Sequence, residues 1–300
     1  MKLPVRHRQE GLSLIELMIA ITLSLLLILG VTQIFLSSKS TYASNQELSQ
    51  IQESGRFAVQ LLAWDIRNTG YRGQCLTAPV NHIDSGASVW VANDAPIQGW
   101  ENSKPPFVSD SVVAGSDVIF VQFATGAGSV KGAAGNTYNS DEIALVDSIS
   151  PVGPGLTLIS DGLACDLFNN TADAGAAVVA KNSSTDWSHN YTDEFEVLTF
   201  RNVAYYIAEQ DGVPTLHRVL LDQGLNELGG ADEKPLVRGV TSMNIEYGIA
   251  NNRIVNSYVD ASSVTNWANV ASVRINLEVT ADSGMKRDFS TTIALRNLLP

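Results

Sequence analysis

The stretch Gly11-Leu12-Ser13-Leu14-Ile15-Glu16-Leu17-Met18-Ile19-Ala20 decides how this chain of 300 residues is built. Ahead of it lies a short polar segment carrying Lys2, Arg6 and Arg8. Beyond Glu16 the chain runs uncharged from Leu17 to Ser38, 22 residues. A helix needs about 20 predominantly apolar residues to cross a bilayer, so this run predicts a transmembrane helix. Basic residues on its N-terminal flank hold that end in the cytoplasm and send the rest of the chain outside. Glu16 is the one charge within the apolar run. A carboxylate at the centre of a spanning helix costs about 2.5–3.5 kcal/mol on the insertion scale. The cost falls near a helix end, but the group still requires a partner.

A cleaved secretory signal accounts poorly for these residues. The apolar run is longer than the usual 7–15 residues of such a signal, and no Ala-x-Ala site follows it; Ser37-Ser38-Lys39 is a weak substitute. A plain signal anchor explains the span, but not a glycine and a glutamate at this spacing. The combination of basic leader, Gly11, four residues, Glu16 and an apolar helix resembles the class III signal of type IV pilins and of the pseudopilins of type II secretion. That resemblance implies cleavage by a prepilin peptidase between Gly11 and Leu12, and methylation of the new Leu12 amine. It also gives Glu16 a role in assembly, paired with the Leu12 amine of a neighbouring subunit. The physical reason is that two opposite charges in a low-dielectric core must satisfy each other, and removing one strands the other. The family's usual first mature residue is Phe, from which Leu12 departs.

The formal charge is −12, and loss of the leader, with three basic residues and one acid, makes it −14. So acidic a surface disfavours phosphate backbones, and no nucleic-acid partner is expected. Apolar content of 45% and charged content of 17% suit a folded protein. The two cysteines, Cys75 and Cys165, face an oxidising compartment on this topology, where a pair commonly forms a disulfide; two buried free thiols are the alternative. No second Cys or His lies close enough in sequence to either for a metal site.

From Leu12 to Thr69 there is no proline. After Lys39, Leu48, Ile51, Gly55, Ala58, Leu62 and Asp65/Ile66 step by threes and fours, while Gln50, Glu53, Arg56, Gln60 and Arg67 take the other faces. This predicts an amphipathic continuation of the same helix, stopped at Gly70. Such a helix is about 85 Å long. The string around Gln52–Ala58, then Asp65 to the turn Gly70-Tyr71-Arg72-Gly73-Gln74-Cys75, is similar to that of the PilW-type minor pilins. Residues 76–192 are rich in Gly, Ser, Asn, Asp and Ala. Short runs at Val89–Val91, Asp117–Ala124, Ile143–Val146, Leu156–Ile159 and Ala177–Ala180 read as strands between long loops. Gly126–Gly132 lacks the spacing of a phosphate loop and reads as a flexible loop. Strand-like runs Phe195–Glu209 and Val213–Leu221 flank Gln210-Asp211-Gly212, a strong hairpin signal. Leu236–Ile249 reads as one strand region. Val270–Ala281 and Met285–Leu295 flank a second hairpin at Asp282-Ser283-Gly284. Val273, Ile275, Leu277 and Val279 alternate with polar residues, giving one buried face. The pairing of the Tyr205-Tyr206 strand with Leu216-His217-Arg218, and the closing strand, again resemble PilW-type proteins and J-type pseudopilins.

Catalytic signatures are not found. His7, His82, His189 and His217 are scattered, and neither His-Glu-x-x-His nor Gly-x-Ser-x-Gly occurs. Asp222–Glu227 has oxygen ligands but not the EF-hand spacing, and reads as a solvated turn. Asn169, Asn182 and Asn190 begin Asn-x-Ser/Thr triplets, as expected in so Asn- and Thr-rich a stretch. Tyr205, Tyr206 and Tyr247 are read as core fillers.

These readings predict an α+β, type IV pilin-like fold: a leader at 1–11, a transmembrane half-helix at 12–38, an amphipathic half-helix at 39–70 and a periplasmic β-rich domain at 71–300. By resemblance the chain is a minor pilin of the priming and tip complex, without enzymatic activity, cofactor or metal. Its implied partners are other minor pilins, the major pilin, prepilin peptidase, a tip adhesin and the inner membrane. The rivals are a J-type pseudopilin and a membrane-anchored periplasmic binding domain.

Overall fold

The computed structural model describes residues 13–83, 95–105, 108, 112–147, 149–220, 232–251 and 254–297. Helix α1 runs Leu14–Asn68, 55 residues. Its apolar side chains from Leu14 to Leu36 are half or more exposed, the pattern of a segment that meets lipid or other helices rather than its own core. Thr22, Thr32 and Thr41 each turn the hydroxyl back to a carbonyl three or four residues earlier, at 2.9, 2.7 and 2.9 Å. This satisfies those donors inside the helix, as an apolar surrounding demands. The chain divides into two compact units, Met1–Gln50 and Ile51–Pro300.

Within the second unit α1 buries Ile51, Gly55, Ala58, Leu62, Ala63, Asp65 and Ile66, the stripe read from the three–four spacing. The helix stops at a turn in which Gly70 has φ +78°. Gly70 N–H donates to Gln122 O at 2.9 Å, and the Asn297 amide donates to Asn68 O and Thr69 O at 3.3 and 3.2 Å. The carbonyls left open at the helix end are thus partly satisfied by the far end of the chain.

Fourteen strands follow among the described residues: β1 (Val80–Asn81), β2 (Ile97–Trp100), β3 (Val118–Lys131), β4 (Glu142–Ala144), β5 (Gly155–Ser160), β6 (Cys165–Asn170), β7 (Val178–Ala180), β8 (Glu194–Gln210), β9 (Val213–Leu220), β10 (Asp232–Arg238), β11 (Val240–Asn251), β12 (Ile254–Asp260), β13 (Val270–Thr280) and β14 (Lys286–Ala294). Eight form one sheet centred on the 17-residue β8. One edge of β8 pairs with β3; the other pairs first with β5 and then with β9. A four-stranded sheet runs β12-β11-β13-β14, and β4 with β7 makes a small third sheet. All pairings but β1–β6 are antiparallel. This is an α+β, pilin-like architecture.

The main core joins α1 to both larger sheets. Val203, Tyr205 and Ile207 of β8 meet Leu62 and Ile66 of α1 and Met243, Ile245 and Tyr247 of β11. Their neighbours Ala204, Tyr206 and Ala208 face a second cluster with Phe120 and Val219. This is the period-two alternation of a strand buried on both sides.

The Asp211-Gly212 hairpin forms with both residues at positive φ, +52° and +76°, the geometry of a type I′ turn. Two readings need correction. The glycine-rich segment 126–132 is not a flexible loop: β3 continues through Lys131, with a register shift between Thr125 and Gly128. The glycines allow close approach, since a Cβ on Gly132 would lie 1.9 Å from the Tyr191 carbonyl oxygen and one on Gly128 would lie 2.5 Å from the Pro151 ring. The region Leu236–Ile249 is two strands. Gly239, at φ +81°, ends β10 in the large sheet and starts β11 in the smaller one. The sequence reading does not contain strands β1, β2, β6 and β12, and Val89–Val91 lies outside the described residues.

Candidate functional site

The structure places the expected functional residues in two regions. Gly11 and Leu12 lie outside the described residues. Glu16 is exposed in the first turn of α1, just after Ser13, whose carbonyl accepts the first helical hydrogen bond from Leu17 N–H at 3.1 Å. In the second region Cys75 and Cys165 are joined by a disulfide, S–S 2.05 Å and Cα–Cα 5.7 Å.

The disulfide ties the segment after α1 to β6, and two further contacts fasten the same strap. Val80 and Asn81 pair with Asp166 and Leu167, and His82 N–H donates to Leu167 O at 2.8 Å. Then the buried His82 ring bonds through Nε2 to Asp166 Oδ1, while its Nδ1 meets Thr185 Oγ1 at 2.7 Å. The second oxygen of Asp166 accepts from Ser188 Oγ and Tyr191 OH, both at 2.5 Å. Burial pushes the Asp166 carboxyl up, but the bonds from His82, Ser188 and Tyr191 outweigh it and hold the group below the usual carboxylate range. The Tyr191 hydroxyl is driven well above its ordinary value by burial and by the adjacent carboxylate. Lys181 closes the cluster: its buried ammonium donates to Ser183 O at 3.1 Å and lies 4.8 Å from the centre of the Trp187 ring. Thr185 can donate to or accept from the imidazole, so both ring nitrogens of His82 have a partner.

A second buried carboxylate fixes α1 to the sheet. Asp65 Oδ2 accepts from Tyr205 OH at 2.5 Å and from Arg218 Nε at 3.0 Å. Burial lowers and the Tyr205–Asp65 partners raise the affinity of Arg218 for its proton, with a net rise. One carboxylate thus joins α1, β8 and β9. A third, Asp117, is nearly buried and stands in for backbone: Oδ2 accepts from Ile245 N at 2.8 Å, where β11 leaves its pairing edge open, and Oδ1 accepts from Asn102 N at 3.3 Å. Burial raises its pKa, the backbone bonds oppose the rise, and Glu101 and Asp260 add to it.

None of these networks was read from the sequence. Asp65 carried a usable signal, being an acid inside an apolar helical stripe. For His82 the signal ran through the cysteines: once Cys75 and Cys165 are joined, the residues following each are brought side by side. Among the described residues no group of three or more His, Cys, Asp or Glu is placed to hold a metal, and the calcium-like Asp222–Glu227 lies outside them.

Residues 6–32 match the prokaryotic N-terminal methylation motif, and residues 204–288 match the family described as Type IV Pilus-assembly protein W. In these two segments the chain is similar to the PilW-type pilins. It is anchored at the inner membrane with a periplasmic domain and is associated with the pilus. No curated protein and no solved structure matches it. The PilW segment runs from the middle of β8 to the start of β14, and so includes Tyr205, Arg218 and the sheet-switching Gly239; Asp65 and both cysteines lie outside the matched segments.

Proposed function

We propose that this chain is a PilW-type minor pilin, a subunit of the priming complex that starts type IV pilus assembly and remains at the pilus tip. The observation that carries this reading is the joint presence of the methylation motif and the PilW segment in one chain. In this reading residues 1–11 are removed between Gly11 and Leu12, and Leu12 is methylated. Residues 12–38 hold the chain in the inner membrane, residues 39–70 carry the amphipathic half of the helix, and residues 71–300 form the periplasmic domain. The exposed apolar side chains of Leu14–Leu36 meet lipid first and neighbouring subunits afterwards. Glu16 then pairs with the Leu12 amine of a neighbour, which sets the axial register of incorporation. The partners are other minor pilins, the major pilin and a tip adhesin, with prepilin peptidase acting first. A head of more than 200 residues suits a subunit used in few copies, because repetition along a filament would demand wide radial spacing.

One experiment tests the reading. In Glu16→Ala, the mature mass still shows a peptidase-dependent start at a methylated Leu12, whereas the subunit is lost from sheared pili and piliation falls. Normal piliation with the variant incorporated would remove the role of Glu16. A start at Met1 or near Ser37 in the unaltered chain would remove the processing step, and secretion lost with twitching spared would move the chain to the J-type pseudopilins.

A further inference from the structure

A reactive hydroxyl needs a base within hydrogen-bond reach and a third group that orients the base. The fold assembles these parts from three distant places in the chain. Thr185, exposed in the segment between β7 and β8, holds its Oγ1 2.7 Å from His82 Nδ1. The opposite ring nitrogen, Nε2, bonds to Asp166 Oδ1. The side chains of His82 and Asp166 are fully buried, and Trp187 lies against the imidazole with ring centres 5.4 Å apart. The base is shielded and fixed, while the hydroxyl in front of it belongs to a residue open to solvent.

The direction of each hydrogen bond follows from the acid. Asp166 Oδ1 also accepts from Ser188 N–H at 3.1 Å, and Oδ2 accepts from Ser188 Oγ and Tyr191 OH, both at 2.5 Å. An ionised carboxylate is an acceptor only, so His82 carries a proton on Nε2. In the neutral ring Nδ1 is then the bare nitrogen, and Thr185 Oγ1–H donates to it. Ser183 Oγ lies 2.7 Å from Thr185 Oγ1; with the threonine proton committed to His82, the serine is the donor. The protons therefore run from Ser183 to Thr185 to His82 to Asp166, each bond pointing toward the carboxylate. We propose that Thr185 is an activated nucleophile toward carboxylic esters, with His82 as its general base and Asp166 as the residue that positions His82. Oγ1 attacks the ester carbonyl carbon and passes its proton to Nδ1. The new Oγ1–C bond stays, the C–O bond to the alcohol breaks, and the alcohol leaves with the proton from Nδ1. The product is an O-acyl threonine. Water, activated at the same nitrogen, returns it to the free hydroxyl and a carboxylic acid.

The test treats the full-length chain with p-nitrophenyl acetate and locates the acetyl group by peptide mass spectrometry. Ser184 is the internal reference, being exposed, one residue away and a less hindered hydroxyl. Thr185 is expected to be acetylated about 100-fold faster than Ser184, the lower end of what a positioned base contributes. The preference disappears in urea and in His82→Gln. Thr185→Val, a change at an exposed residue, removes the burst of p-nitrophenol, while Thr185→Ser keeps it. The positioning role of Asp166 has its own signature, since imidazole nitrogen chemical shifts distinguish a bare from a protonated nitrogen. They are expected to place the His82 proton on Nε2, and to move it to Nδ1 in Asp166→Asn, whose amide donates to Nε2; acetylation of Thr185 falls to the Ser184 rate in the same variant. Equal acetylation of Thr185 and Ser184 in the unaltered chain overturns the proposal. So does a Thr185 preference that survives urea or His82→Gln, or an unaltered chain whose His82 carries its proton on Nδ1.

Discussion

Asp117 is a carboxylate used in place of a peptide carbonyl, and the substitution has an energetic signature. Its pKa in the fold lies above the ordinary value, burial being the main cause. A group that binds its proton more tightly in the folded state adds stability in acid and loses that contribution as pH rises through its folded pKa. Asp117→Asn keeps an oxygen for Ile245 N–H, gives up the longer bond from Asn102 N–H, and removes the charge that Glu101 and Asp260 oppose. The variant is expected to melt a few degrees higher than the parent at pH 7, with the gap closing as pH falls; a thermal melt against pH reads both. Asp166 has the opposite sign. Its carboxyl is held low, so its contribution is present above the ordinary carboxylate range and is lost as pH falls through the folded value. Neither role was legible in the sequence. Each depends on donors far away in the chain, His82 and Tyr191 in one case and Ile245 in the other, and only the folded topology brings them together.

Element by element, legibility followed the range of the forces involved. The hairpin at Asp211-Gly212 was readable because its two positive-φ residues and its alternating flanks are all local. The stripe on α1 was readable because a helix repeats its face every few residues. The boundary between β10 and β11 was hidden, because Gly239 falls inside an apolar run that reads as one strand. What divides the run is a change of partner: Gly239 N–H donates to Pro214 O and its carbonyl accepts from Thr280 N–H, each at 2.8 Å. A side chain at φ +81° is strained, and a Cβ there would lie 2.8 Å from the Thr280 oxygen. Gly239→Ala is therefore expected to cost about 1–3 kcal/mol, measured by chemical denaturation. The stretch 126–132 misled for a related reason. Its glycines look like flexibility in isolation, whereas in the fold they make room for Tyr191 and Pro151.

At the scale of the whole molecule, the helix and the two hairpins of the C-terminal half were visible in the sequence, while the forked large sheet was not. β8 changes partner from β5 to β9 partway along one edge, and no periodicity encodes which strand lies alongside. The disulfide is the one covalent long-range constraint, with a sequence separation of 90. In the chain-entropy account, closing such a loop stabilises the fold by about 4–5 kcal/mol. The double variant Cys75→Ser/Cys165→Ser should lose stability on that scale in urea while keeping its leader processing. The same bond has a mechanical consequence. A subunit pulled by α1 carries tension along its backbone only as far as Cys75, and from there the load crosses directly to Cys165. The intervening chain, with a contour of roughly 300 Å, is shunted out of the load path. Strands β1 to β5, however loosely tied, cannot be paid out like rope while the sulfur bridge holds. A filament component built this way yields, if at all, beyond Cys165, and its extension before failure is shorter by that hidden length.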